Sequence, residues 1–243
     1  MDKLSDRQNH ILKAIVEEYI ETASPVGSET LDKKYNLGVS PATIRNEMVT
    51  LTELGYMKQP HTSAGRTPTS KALKLYVGKL MQTKELSVAD EVTVKQKIWD
   101  YREELDKLLR ESTKALAKQT KTMSIAATND RDFYTSGLGN ILEMPEFYDI
   151  DMTKHLLETL DEYDYWWDIF SHFQESPDNL TIMLGEDMGE KLSDRCGGIF
   201  INFKSSDQQG VIGVVGPYRL DYQRIIPMVR YMGSLITEIV KSW

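Results

Sequence analysis

Cysteine is nearly absent: Cys196 is the one cysteine in 243 residues. No intrachain disulfide can form, which excludes a disulfide-stapled scaffold and agrees with a reducing, cytoplasmic setting. Long apolar runs are missing as well. None approaches the ~20 residues that a membrane helix needs, and the opening MDKLSDRQNH has no apolar core of a secretory signal. Histidine is scarce, and His10, His61, His155 and His172 share no metal-ligand spacing with one another or with Cys196. No GxSxG and no P-loop is present. Cys196, in SDRCGG, has no histidine base near it in sequence and reads as a small strand-end residue. Neither a catalytic centre nor a metal or cofactor is expected. Surplus positive charge is lacking too: the net charge of −8 argues against a general nucleic-acid coat protein.

That negative charge is unevenly placed. Residues 1–85 hold 12 Lys/Arg against 10 Asp/Glu, and residues 86–243 hold 17 against 27. Residues 40–74 carry five basic side chains (Arg45, Lys58, Arg66, Lys71, Lys74) and two acidic ones (Glu47, Glu53). The local bias favours a polyanion partner at the N-terminal end.

The N-terminal order of elements gives that bias a form. Ser5 and Gln8 make a capping box, and Ile11, Leu12, Ile15, Val16, Tyr19 and Ile20 recur at helical spacing to about residue 22, before Pro25 and Gly27 break the helix. Ser28 is placed to cap a short second helix with Leu31 and Tyr35 inward. Asn36 to Val39 turn, and Ser40-Pro41 opens a third helix, 41–54, with Ile44, Met48 and Leu51 buried. Helix, short helix, glycine-containing turn and capped helix make a helix-turn-helix signature. Residues 56–59 suit a short strand, PHTSAGRTP (60–68) follows, and Thr69 opens a helix carrying Leu73, Tyr76, Val77, Leu80 and Met81. PHTSAGRTP therefore falls where a winged helix places its wing; by itself it also reads as a plain surface loop.

The chemistry fits a duplex. Thr43, Arg45 and Asn46 lie off the buried stripe near the start of the third helix, where arginine pairs with guanine and asparagine with adenine. The backbone N–H groups from Ser40 to Thr43 suit a phosphate. In the wing, Ala64 and Gly65 permit close approach, Thr62 and Ser63 donate to phosphate, Arg66 reaches phosphate or the minor groove, and His61 contacts phosphate in either protonation state. The bland alternative is an ordinary exposed Arg45 on a small helical protein.

LSDRQNHILKAIVEEYIETASPVGSETL, GVSPATIRNEM and ELGYMKQPHTSAGRTPT, spread over residues 4–81, resemble the heat-inducible transcription repressor family HrcA. So do SGLGNILEMPEF (136–147) and GVIGVVGPYRLDYQRIIPMVRYM (210–232). The resemblance implies a winged helix-turn-helix DNA-binding domain followed by a GAF-like domain with an inserted dimerising domain; together with the residue pattern it gives an α+β chain of a winged helix-turn-helix domain (1–83), a linker and long connecting helix with a possible dimer contact (84–120), and a shortened GAF-like α+β domain (121–243). It implies a homodimer on double-stranded DNA at an inverted repeat called CIRCE, upstream of chaperone operons. It also implies release on heat stress and a GroE-type chaperonin partner. The family's DNA-binding pattern carries over to Thr43, Arg45, Asn46, His61, Thr62, Ser63, Gly65 and Arg66, beside Ser40 as the helix cap. One departure stands out. The interval 82–135 is too short for the family's inserted dimerising domain, which is expected to be missing or reduced.

Val94, Ile98, Tyr101, Leu105 and Leu108 follow an a/d spacing over about two heptads, on a helix that would span ~40 Å. The stripe either replaces the dimer contact or packs on the chain's own second domain. Beyond it, residues 152–174 read as one helix, with Leu156, Leu157, Leu160, Tyr163, Trp167 and Phe170 inward. Residues 180–184 read as a strand, 199–203 and 211–215 as a hairpin around SSDQQG, and 221–241 as a helix. Trp166-Trp167 suits core and edge packing. Arg219 and Asp221 would order a small pocket or, more simply, make a turn salt bridge and cap the last helix. Two functions follow: a sequence-specific repressor, or a sensor or chaperone-interaction module with weak, non-specific DNA binding.

Overall fold

The computed structural model describes residues 4–61, 64–171, 179–189, 191–192, 196–204 and 208–242, and they fall into two units, 1–82 and 83–243.

In the first unit, α1 (Asp6–Thr22) opens with the full capping box, Ser5 accepting from the Gln8 N–H and the Gln8 side chain returning to the Ser5 N–H. Its Ile11, Leu12, Ile15 and Val16 are fully buried. α2 (Ser28–Tyr35) starts one residue earlier than Ser28 as a cap would require. Gly27 is the N-cap and Ser28 the first helical residue. Leu31 is buried, while Tyr35 is half-buried with its hydroxyl on the Glu18 carboxylate. α3 (Pro41–Glu53) has the expected Ser40 cap with proline at its first position, and buries Ile44, Met48 and Leu51. β1 (Met57–Lys58) and β2 (Thr67–Pro68) pair antiparallel, Met57 opposite Pro68 and Lys58 opposite Thr67. α4 (Ser70–Leu75), capped by Thr69, runs into a π turn at Tyr76–Leu80.

The second unit departs from the sequence reading at its start. The single long helix is two: α5 (Val88–Trp99) and α6 (Leu105–Thr120), separated by residues 100–104. β3 (Met123–Thr128) and β4 (Phe133–Ser136) then form a hairpin that the sequence reading did not contain. α7 (Leu138–Ile141) follows, and a 3-10 turn (Pro145–Tyr148) leads to α8 (Ile150–Leu160) and α9 (Tyr163–Ser171), where one helix was expected. The end of that expected helix, 172–174, lies outside the described residues. β5 (Leu180–Leu184), β6 (Cys196–Lys204), β7 (Gln209–Pro217) and α10 (Tyr222–Lys241) complete the unit.

The sheet runs β4-β3-β7-β6-β5, antiparallel throughout. Met123, Ile125 and Ala127 of β3, Val211 and Val215 of β7 and Phe200 of β6 form one core with Phe147, Leu156, Trp166 and Phe170. α10 packs on the opposite face, where Gly233 seats against Ile201; a Cβ there would stand 2.4 Å from an Ile201 methyl. Pro227 inside α10 leaves the Gln223 carbonyl without its usual helical donor, and Lys84 N–H takes that place at 3.4 Å. The protein is thus α+β, a winged helix followed by a GAF-like domain built on a central antiparallel sheet.

Candidate nucleic-acid interface

The recognition surface begins with what α3 buries. With Ile44, Met48 and Leu51 inward, Arg45 and Asn46 are exposed and Thr43 is half-exposed. Arg45 makes no ion pair or hydrogen bond among the described residues. Glu47, on the same helix, is only 8% exposed, and its carboxylate accepts from Arg7 Nε at 2.7 Å and Gln8 Nε2 at 3.0 Å. That pairing folds its negative charge back onto α1 and leaves the outer side of α3 to Arg45 and Asn46.

The start of α3 is more self-satisfied than the sequence suggested. Ser40 Oγ accepts from the Thr43 N–H at 3.2 Å and shares a 3.0 Å hydrogen bond with Thr43 Oγ1. Pro41 has no N–H at all. The Thr43 N–H is thus occupied and Pro41 supplies none, which leaves those of Ser40 and Ala42 toward solvent.

The wing is small. Beyond the two-residue ladder, Gln59 Nε2 donates to the Ala64 carbonyl at 3.0 Å, and Ala64 N–H closes a turn onto His61 O at 2.9 Å. His61 is exposed at that turn; Thr62 and Ser63 lie outside the described residues. The base of the wing is fixed to the loop before α2. Val26 and Arg66 exchange both backbone hydrogen bonds, at 2.8 and 2.9 Å. Gly65 makes this possible, because a Cβ on it would lie 2.4 Å from Val26 O and 2.9 Å from the Pro25 carbonyl carbon. The close approach Gly65 makes is thus to the chain's own backbone. Arg66 likewise does two jobs: its Nε donates to Thr52 Oγ1 at 3.1 Å, tying the wing to the end of α3. Lys71 is held against Leu54 O at 2.8 Å and over the Tyr56 ring at 4.3 Å.

Arg45, Gln59, Gly65 and Arg66 meet at one cleft of about 350 Å³, shared with Gly27 and Ser28 at the start of α2. Sequence reasoning brought the first helix-turn-helix residues and the wing to one face but missed Ser28, which it used as a cap; the glycine before it was the signal.

Other candidates in the second unit resolve to structure. Within the heptad stripe Val94, Ile98 and Leu108 have no exposure and pack inside this unit, whereas Tyr101 is 37% exposed and Leu105 is half-buried. Trp166 is fully buried and donates to Thr159 O at 2.9 Å. Arg219 pairs bidentately with Glu146, at 2.5 and 3.1 Å, and Asp221 caps α10 by accepting from Arg224 N–H. Cys196 is buried, and desolvation pushes its thiol up to about 12.

Comparison with known proteins bears on both units. A family model described as "Winged helix-turn-helix transcription repressor, HrcA DNA-binding" matches residues 3–81. A second, described as "HrcA protein C terminal domain", matches residues 66–226. The chain is 29% identical to the heat-inducible transcription repressor HrcA of Clostridioides difficile (strain 630), covering 97% of this chain and 99% of the relative. To that of Desulforamulus reducens it is 28% identical, covering 97% of each. A 122-residue stretch is 47% identical to the HrcA of Symbiobacterium thermophilum, covering 50% of this chain and 36% of the relative. The alignment to the first relative occupies 337 positions, and this chain has 243 residues, so at least 94 of those positions have no residue here. A solved structure described as "a hypothetical protein" at 2.2 Å resolution shares the fold, with a TM-score of 0.82 and 21% identity over 99% of both chains.

Proposed function

This chain belongs to the HrcA family of heat-inducible transcription repressors, and from that premise we propose that it represses chaperone operons by binding a CIRCE-type inverted repeat as a homodimer released on heat stress. The observation that carries the DNA-binding part is the free, exposed Arg45–Asn46 edge of α3, standing beside a wing whose base is fixed to the same helix through Arg66 and Thr52. In this reading Arg45 and Asn46 face base edges in the major groove. Ser40 and Thr43 set the helix start. His61, Thr62, Ser63 and Arg66 contact the sugar-phosphate backbone, and Gly65 holds the wing in place.

Fluorescence anisotropy near ~150 mM salt tests this, comparing the inverted repeat, one half-site and a scrambled duplex. Specific repression needs at least ~10³-fold preference for the repeat over the scrambled duplex. Arg45→Ala should lose roughly 1–3 kcal/mol on the repeat and relax base preference at one position. Arg66→Ala should weaken all duplexes alike and lower the salt slope. Equal, weak binding to all three duplexes would refute the repressor reading in favour of a sensor or chaperone-interaction module. The GroE-type chaperonin stays within the proposal as a partner, with the expected result that adding it raises the operator-bound fraction.

The absence of at least 94 family positions and the burial of Val94, Ile98 and Leu108 within the chain favour one variant of this reading, in which each chain engages a half-site with little help from a second copy. Half-site affinity close to that of the full repeat is its signature.

A further inference from the structure

The winged-helix unit hides its large apolar side chains with one exception. Among the described residues of that unit, Val49 alone of these is exposed, at 42%. It stands on α3, whose inward side is taken by Ile44, Met48 and Leu51. At 3.6 residues per turn, Ala42, Asn46, Val49 and Glu53 share one line on the outward side of that helix. All four are exposed. Arg45, one turn before Val49, stands on the flank of this line toward the cleft that it shares with the wing.

Nothing inside the chain accounts for a valine at this place. Exposure removes the gain from burial, and a β-branched side chain is a poorer helix former than alanine, leucine or lysine. Thr50, next in sequence, turns its hydroxyl onto Asn46 O at 3.3 Å, so Val49 is the group that this turn of α3 offers outward. Base edges in the major groove present hydrogen-bonding groups and one apolar group, the C5-methyl of thymine. An uncharged, branched side chain facing that groove has no other complementary partner.

We infer that Val49 packs on a thymine methyl in the major groove and specifies an A·T pair there. The inference rests on the DNA-binding reading above and adds to it a base that the hydrogen bonds of Arg45 and Asn46 do not read. Four residues of helix carry Val49 about 6 Å past Arg45. The thymine therefore lies within about two base pairs of the pair that Arg45 contacts. Glu53, a turn further along the same line, is an exposed carboxylate that the phosphates repel, so the apolar contact ends the readout.

The test uses the full chain, as wild type, Val49→Ala and Val49→Ile, in anisotropy. The duplexes are the repeat and a set of repeats in which each thymine of the half-site is replaced in turn, in both halves, by deoxyuridine. That replacement removes the methyl and leaves base pairing intact. Alanine is the better helix former at an exposed position, so Val49→Ala should melt at or above the wild-type temperature. Wild type should lose about fourfold per half-site at one thymine, the worth of one buried methyl. Val49→Ala should bind the unmodified repeat about fourfold more weakly per half-site. It should lose nothing further at that thymine, and its salt slope should be unchanged because no charge is altered. Val49→Ile should keep the full dependence on the methyl. A wild type indifferent to every replacement overturns the methyl contact while leaving the repressor reading intact. A loss that Val49→Ala shares equally at the same thymine comes from the duplex rather than from Val49, and also overturns the inference. A wild type that fails to discriminate the repeat from a scrambled duplex removes the reading itself, and the inference with it.

Discussion

Gly65→Ala separates the two jobs that a wing glycine can have. The Cβ added there would stand 2.4 Å from Val26 O, 2.5 Å from Val26 C and 2.9 Å from the Pro25 carbonyl carbon, all backbone atoms that no rotamer can move. Relief to ordinary contact requires the two segments to part by about 1 Å. The Val26–Arg66 hydrogen bonds, at 2.8 and 2.9 Å, would then exceed the useful range, and both would be lost. Two net backbone hydrogen bonds amount to about 2 kcal/mol. In a unit of this size that lowers the melting temperature by roughly 10 °C. Calorimetry of the full chain should show the first unit's transition moving down by that amount, and hydrogen exchange should show the Val26 and Arg66 amides losing protection. Operator binding should fall as well. A variant that melts within a degree of wild type, with both amides still protected, refutes the self-packing argument. If such a variant still lost DNA affinity, Gly65 would belong to the DNA contact.

Three further outcomes follow from the same contacts. Ile98→Asp, which the heptad reading would expect to give a folded monomer, should instead destabilise the second unit by at least about 3 kcal/mol, because it buries a carboxylate at a position with no exposure; a folded, cooperative melt near wild type would contradict this. Burial pushes the Cys196 thiol up to about 12 from an ordinary value near 9, so its contribution to stability is complete below about pH 9 and is lost as pH rises toward 12. Desolvation raises Tyr165 to about 12 in the same sense; melting temperatures should therefore decline from about pH 9 upward, and a flat profile to pH 11 would be the contrary result. The same burial makes Cys196 unreactive toward thiol reagents at pH 8 until the second unit unfolds, so immediate stoichiometric labelling of native protein would show the enclosure to be wrong.

Where local chemistry decides the structure, the sequence was readable. The Ser5 and Ser40 caps, the buried stripes of α1 and α3, the wing's position and the apolar face of α10 all follow from side-chain type and spacing. The failures have a shared cause. The heptad spacing from Val94 to Leu108 is continuous in sequence, yet the chain turns at 100–104, and Val94 and Ile98 before the turn and Leu108 after it are buried within one unit while Tyr101 is exposed. Periodicity records which face is buried and says nothing of whose surface covers it. β3 was missed because all six of its residues are buried, which erases the alternation that marks a strand. In the wing, glycine, arginine and small hydroxyl residues signal a close approach without naming the partner. Gly65 and Arg66 spend that capacity on Val26 and Thr52, contacts distant in sequence and invisible to local pattern.

The same reasoning bears on how a shortened chain keeps the family's fold. Residues 83–135 hold only α5, α6, β3 and most of β4, yet no strand they supply lacks a neighbour: β3 pairs with β7 from Met123 to Thr128 and with β4 from Ser124 to Ala127, and β4 closes that edge. The turn from β3 to β4 needs only residues 129–132, fastened by Thr128 N–H to Asp132 O at 3.1 Å and Arg131 N–H to Thr128 O at 3.2 Å. Inserted segments tolerated at such turns can be removed at small cost to a sheet already complete. What such a removal takes away is surface, and with it any contact between copies which that surface made. Of the α5–α6 stripe, Val94, Ile98 and Leu108 are enclosed within the unit, and Tyr101 and Leu105 reach the surface. The stripe therefore offers little area for linkage between two half-sites, which other faces or the DNA itself would have to supply. The ratio of full-repeat to half-site affinity measures that linkage directly: a ratio near one identifies a chain that reads DNA one half at a time, and a much larger one requires linkage between two copies.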